Sequence, residues 1–134
     1  MNTKIFLAED DPEDIEFFTD IVTEISPNIK ISVAKNGVQL MGLFESEEQL
    51  PDFIFLDLNM PIKTGFECLN EIRSFEKWNF IKIVILSTSS HPAQVEELYK
   101  MGADLYLKKP TDYNKLKIML NKCLRMEWEF IENL

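Results

Sequence analysis

Residues 53–61, FIFLDLNMP, decide how this chain is read. Phe53, Ile54, Phe55 and Leu56 are apolar and strand-prone, and Leu58 carries the apolar run past a carboxylate at Asp57. Stripping water from a charged carboxylate is costly, so an acid inside a buried strand needs a reason. An acid that ends such a strand has one, because polar groups gather where the strands of a parallel sheet finish.

Working outward, DFIFLD (52–57) is one of five short apolar runs. The others are KIFLA (4–8), IKISVA (29–34), IKIVILS (81–87) and DLYLK (104–108). Helical spacing fills the intervals. Ile15, Phe18, Val22 and Ile25 share a face, as do Val38, Met41 and Phe44. So do Phe66, Leu69 and Ile72, then Val95, Leu98 and Met101, then Leu116, Leu120, Cys123 and Leu124. Start signals precede each helix: Asp11-Pro12, Asn36-Gly37, Thr64-Gly65, Ser90 or His91 before Pro92, and Asp112. Gly102 after Met101 suits a left-handed stop. The pattern predicts an α/β fold, a doubly wound five-stranded parallel sheet with right-handed crossovers and helices on both faces.

The chain has 134 residues, the size of one domain, with 46% apolar and 28% charged residues. Lys plus Arg number 14 against 23 Asp plus Glu, a net charge of −9 that argues against a nucleic-acid partner. No run is long and apolar enough to span a membrane, and the N-terminus turns acidic after four apolar residues, unlike a signal peptide. A cytoplasmic protein is expected. Cys68 and Cys123 form no CxxC pair and His91 is the single histidine, which argues against zinc and for both cysteines as core residues.

The strand ends carry the chemistry. The first finishes in Glu9, Asp10 and Asp11, the third in Asp57 followed by Asn59, the fourth in Ser87 to Ser90, and the fifth in Lys108, Lys109 and Pro110. In a parallel sheet these face one edge. Several carboxylates so placed need a counter-charge. Mg²⁺, which takes carboxylate, water and phosphate oxygens, supplies one. A lysine and a small hydroxyl complete a pocket for a phosphoryl group, with Asp57 the natural nucleophile.

The ordered set AEDDPED, LDLNMP, ILSTSS and YLKKP resembles the receiver domain of two-component response regulators across residues 3–125. The resemblance implies a flavodoxin-like strand order 2-1-3-4-5 and one receiver domain over 1–134, its last helix extending to 134. It implies Asp57 as phospho-acceptor and a Mg²⁺ (or Mn²⁺) site made by Glu9, Asp10, Asp57 and the backbone carbonyl of Asn59. It implies Ser87 as switch hydroxyl and Lys109 as the lysine that pairs with phosphoryl oxygens, with a cis bond to Pro110. Tyr106 takes the place of the switch aromatic. Asn59 and Ser89 fall where the family tunes the lifetime of the phosphoryl group.

The acidic pair could instead be Asp10 and Asp11, but Asp11 suits the N-cap before Pro12. Thr88 is a second hydroxyl; strand alternation favours Ser87. The same alternation leaves Lys108 facing solvent. Trp78 and Phe80 are expected to pack locally, although an exposed aromatic there could serve a partner. Trp128 and Phe130 either cover the core or make a dimer contact.

The resemblance implies a stand-alone, non-enzymatic regulator. A sensor histidine kinase or a phosphotransfer protein writes to it. It signals to a downstream protein through the face of the fourth helix, fifth strand and fifth helix, and a homodimer is possible. It is similar to small regulators of phytochrome-type kinases. A chemotaxis regulator and a phosphorelay shuttle are the alternatives. An aspartyl-nucleophile Mg²⁺ phosphatase would need a second acid where Asn59 stands, and a flavin-binding module would need a glycine-rich loop where EDDPED stands.

Overall fold

In the computed structural model, residues 3–88 and 91–131 are described. Strands and helices alternate: β1 (Lys4–Ala8), α1 (Pro12–Ile25), β2 (Lys30–Ala34), α2 (Gly37–Ser46), β3 (Phe53–Leu56), α3 (Gly65–Arg73), β4 (Lys82–Ser87), α4 (Pro92–Lys100), β5 (Leu105–Lys108) and α5 (Tyr113–Leu124). The strands form one parallel sheet in the order β2-β1-β3-β4-β5, as expected.

Strand alternation splits the core in two. Phe6, Ala8, Ile54, Leu56, Ile83 and Ile85 point to the layer of α2, α3 and α4, where Leu40, Cys68, Leu69, Ile72 and Leu98 meet them. Ile5, Leu7, Phe53, Phe55, Val84 and Leu107 point to α1 and α5, against Phe18, Ile21, Val22, Leu120 and Cys123. Strands buried on both faces carry no polar alternation, which is why their sequences read as continuous apolar runs. Both cysteines are free and buried, and burial pushes the Cys123 thiol up to about 12 and Cys68 up to about 11.

The start signals work as caps. Asp11 accepts from the amides of Glu13 and Asp14, Asn36 from Gln39, and Asp112 from Asn114 and Lys115. Thr64 and Glu67 close a reciprocal capping box. His91 precedes α4 without a side-chain cap bond; Ser90 and Ser89 lie outside the described residues. Gly102 adopts φ +107, the left-handed stop. No helix among the described residues is long and apolar enough to cross a membrane.

Four expectations need correction. On α2, Met41 and Phe44 pack against the core as expected, but Val38 is 55% exposed, and Gly37 and Leu40 are the buried positions. The reason is that glycine, not valine, takes the first core-facing position. The backbone oxygen of Lys63 sits against Gly37, where a side chain would not fit. The last helix does not extend to 134. It stops at Leu124, Met126 turns left-handed at φ 61, and the indole N–H of Trp128 donates to the Cys123 carbonyl at 3.0 Å. That bond takes a carbonyl freed at the helix end and folds Trp128 back onto the core. Residues 132–134 lie outside the described residues. The Lys109–Pro110 bond is trans, not cis. Trp78 packs locally on Phe75 and also stacks on Phe44 of α2 at 4.2 Å, but Phe80 is exposed, set in the turn just before β4.

Candidate functional site

The sheet ladder continues one residue past three strand ends, and this fixes the site. The Glu9 amide donates to Ala34 O at 2.9 Å, the Asp57 amide to Ala8 O at 3.0 Å and the Lys109 amide to Ser87 O at 2.8 Å. Glu9, Asp57, Ser87 and Lys109 are therefore held by main-chain bonds at the carboxyl edge of the sheet, each from a different strand. The loop after β3 is pinned too. The Asn59 amide donates to Asp57 Oδ1 at 3.2 Å, and the Gly65 amide donates to Leu58 O at 3.2 Å. A Cβ on Gly65 would lie 2.5 Å from the Asp57 carbonyl oxygen, so glycine permits α3 to start directly under the acid. The same loop holds Ile62 at φ 71, a left-handed conformation that is costly for a β-branched residue.

Carboxylate oxygens of Glu9, Asp10 and Asp57 lie within 4.8 Å of one another. Glu9 is buried, Asp57 is half-buried and Asp10 is exposed. Asp11 is not part of this group: it caps α1. Lys109 supplies the counter-charge. Its ammonium contacts Glu9, lies 3.0 Å from Asp14 Oδ2 and 3.8 Å from Asp57 Oδ2.

Burial pushes the Glu9 carboxyl up to about 7. The Lys109 ammonium opposes the rise, and the Asp57 charge adds to it. Burial would lower the Lys109 ammonium, but its bonds to Glu9 and Asp14 and the Glu9 and Asp57 charges outweigh that and hold it above the usual lysine value. The donor set is all oxygen, clustered and short of positive charge. That suits a hard divalent cation with several remaining water or phosphate ligands.

The other expected residues divide. Ser87 is fully buried at the end of β4, and Thr88 beyond it is exposed. Lys108 is exposed, on the opposite side of β5 from Leu107. The Tyr106 ring is buried within the core on the α4 side, and its amide donates to the Tyr99 hydroxyl at 2.9 Å. Asp14 was not singled out in the sequence. It stands in the first turn of a helix, where an acid is unremarkable, and only the closed fold brings it to a lysine 95 positions away.

Beside the site lies a groove of about 1340 Å³ between α4, β5 and α5. Val95, Tyr99, Tyr106, Ile118 and Met119 line it, with Lys115 and Lys122 among its charged residues.

Comparison with known proteins bears on the family and the fold. The response regulator receiver domain family matches residues 5–121. The transcriptional regulatory protein CiaR of Streptococcus pneumoniae is 30% identical over 130 residues, covering 97% of this chain and 55% of that protein. The nitrate/nitrite response regulator protein NarL of Escherichia coli is 38% identical over 111 residues, covering 82% and 50%. This chain thus spans about half the length of such relatives. Among solved structures, the phosphorylated cyanobacterial phytochrome response regulator RcpA superposes with a TM-score of 0.85 at 27% identity, covering 97% of this chain and 96% of that one. The Mn²⁺-bound form of response regulator Rcp1 gives 0.81 at 25% identity, covering 98% and 96%.

Proposed function

This chain belongs to the response regulator receiver domain family, and on that premise we propose that it takes a phosphoryl group from a phosphohistidine-bearing protein onto Asp57 and passes the signal to a protein partner. The observation that carries this reading is the convergence, from separate strands, of Asp57, two further acids and one lysine at a single sheet edge. An Asp57 carboxylate oxygen attacks phosphorus, the P–O bond forms and the P–N bond of the donor histidine breaks. The imidazole leaves with the electron pair and takes up a proton from solvent. Lys109 pairs with a phosphoryl oxygen, and the Ser87 hydroxyl donates to another. A divalent cation, Mg²⁺ or Mn²⁺, held by Glu9, Asp10, Asp57 and the Asn59 carbonyl would neutralise charge on the transferring group.

The output follows from where Ser87 and Tyr106 sit. Ser87 lies on β4 two residues beyond Ile85, the residue paired with Tyr106, so it shares the Tyr106 face of the sheet. Movement of its hydroxyl toward the phosphoryl group would reach the Tyr106 ring, a wall of the α4–β5–α5 groove. Phosphorylation then shifts the population of groove conformations that a partner reads. The likeness to RcpA supports a phytochrome-type sensor histidine kinase as donor, and a cytoplasmic location goes with this reading.

The burial of Glu9 gives a pH dependence. Folding raises this carboxyl from 4.5 to about 7. Without a cation, the fold therefore loses stability as pH climbs from 4.5 toward 7, and levels off above. A cation must displace the proton. Mg²⁺ affinity is expected to be about tenfold weaker at pH 6 than at pH 8, with proton release measurable by calorimetry in buffers of different ionisation enthalpy. Equal affinity at both pH values would contradict a proton on Glu9 that the cation must displace.

The function itself is tested with phosphoramidate, whose P–N bond mimics phosphohistidine. With Mg²⁺ the protein should acquire a phosphoryl group that hydroxylamine removes, the mark of an acyl phosphate. A hydroxylamine-resistant product would overturn the reading, as would continuous turnover of a phosphomonoester.

A further inference from the structure

We propose that Asp14 is a positioning residue that holds the Lys109 ammonium on the α1 side of the pocket and competes with the phosphoryl group for it. This inference rests on the reading of Asp57 as acceptor. It begins at the α1 cap. Asp11 is the N-cap and Asp14 the third helical residue, whose amide donates to Asp11 Oδ1 at 3.3 Å. In a reciprocal capping box, an acid at that third position would bond back to the cap amide. Here the Asp11 amide donates to Glu9 Oε2 at 3.3 Å instead. The Asp14 carboxylate is thereby released from its own helix, and its Oδ2 accepts from Lys109 Nζ at 3.0 Å.

Lys109 consequently sits between Glu9 and Asp14, with Asp57 Oδ2 at 3.8 Å, beyond hydrogen-bond reach. These three are its ion-pair partners among the described residues. Glu9 and Asp57 both belong to the carboxylate cluster suited to a cation, and Asp14 does not. With Glu9 and Asp57 engaged by a cation, Asp14 would be the partner that still holds Lys109 back. Asp14 is 40% exposed, so water weakens its hold and the expected effect is modest.

The test compares wild type, Asp14→Asn and Glu13→Gln with acetyl phosphate and Mg²⁺. Glu13 is the exposed neighbour of equal charge in the same turn. Asp14→Asn should acquire the phosphoryl group about two- to fivefold faster than wild type, and Glu13→Gln should match wild type. A second readout needs no cation: the Lys109 ¹³Cε–¹Hε resonance should move in Asp14→Asn and stay in place in Glu13→Gln. The proposal is overturned if Asp14→Asn is unchanged or slower, or if Glu13→Gln accelerates equally, which would make this a general effect of charge. If wild type takes no phosphoryl group, the proposed function fails, and the Lys109 resonance still judges the Asp14 contact by itself.

Discussion

Lys109→Met is expected to slow acquisition of a phosphoryl group from acetyl phosphate by about 10²–10³-fold, the usual cost of losing a preorganised donor to developing charge. Lys109 is the cation that faces Asp57, and it comes from β5 by way of a main-chain bond to Ser87. Methionine keeps the unbranched stem, one atom shorter, and removes the charge, so the loss is mainly electrostatic. The variant has a second expected signature. Burial still pushes the Glu9 carboxyl up, and the ammonium that opposed the rise is gone, so Glu9 should hold its proton to higher pH. Lys108→Met, one residue earlier and exposed, should phosphorylate at the wild-type rate. A Lys109→Met rate within threefold of wild type would remove the lysine from the reaction.

The largest expected effect on stability lies away from the site. Arg73 ends α3 and spreads four hydrogen bonds: Nε to Gly102 O at 2.9 Å, one terminal nitrogen to Trp78 O at 3.1 Å, and the other to Ile81 O at 2.7 Å and Asp104 Oδ2 at 2.8 Å. Asp104 in turn accepts from the Ile83 amide at 2.8 Å. One guanidinium thus ties α3 to the start of β4 and to the turn before β5. Arg73→Met leaves these acceptors without their donor, at a cost of about 2–4 kcal/mol, or roughly 10 °C in Tm. Arg73→Lys should recover little, because one ammonium cannot reproduce a planar fork aimed at four acceptors. Phosphorylation per folded molecule should be unchanged in both. Urea unfolding measures the loss, and a value under about 1 kcal/mol would show the fork to be replaceable by water.

The strands and the strand-end acids were legible in the sequence because each rests on local chemistry, while the strand order, set by pairings between distant segments, came only with the family resemblance. An apolar run between turn signals can be read without knowing its neighbours. So can Asp57, whose cost inside a strand forces it to the strand's end. Asp11 is separable from Glu9 and Asp10 because it stands directly before Pro12, and an acid followed by proline suits an N-cap with proline at the first helical position. What the sequence hid depends on distant partners. Arg73 looks like an ordinary basic residue in a last helical turn, yet its acceptors lie 5, 8, 29 and 31 positions away. Asp14 looks like an ordinary acid in a first turn. Met41 and Phe44 do pack against the core, but Val38 does not, because spacing alone cannot say that Gly37, with no side chain to bury, is the position pressed against Lys63. The helix end at Leu124 depends on an indole N–H reaching back five residues to Cys123.

The central claim is that Asp57 is the residue that carries the phosphoryl group. Intact-mass measurement after incubation with acetyl phosphate and Mg²⁺, on wild type and Asp57→Asn side by side, tests it most directly. Wild type should gain the mass of one phosphoryl group and lose it to hydroxylamine, while Asp57→Asn should gain nothing. No gain in wild type, or an equal gain in Asp57→Asn, would contradict the assignment.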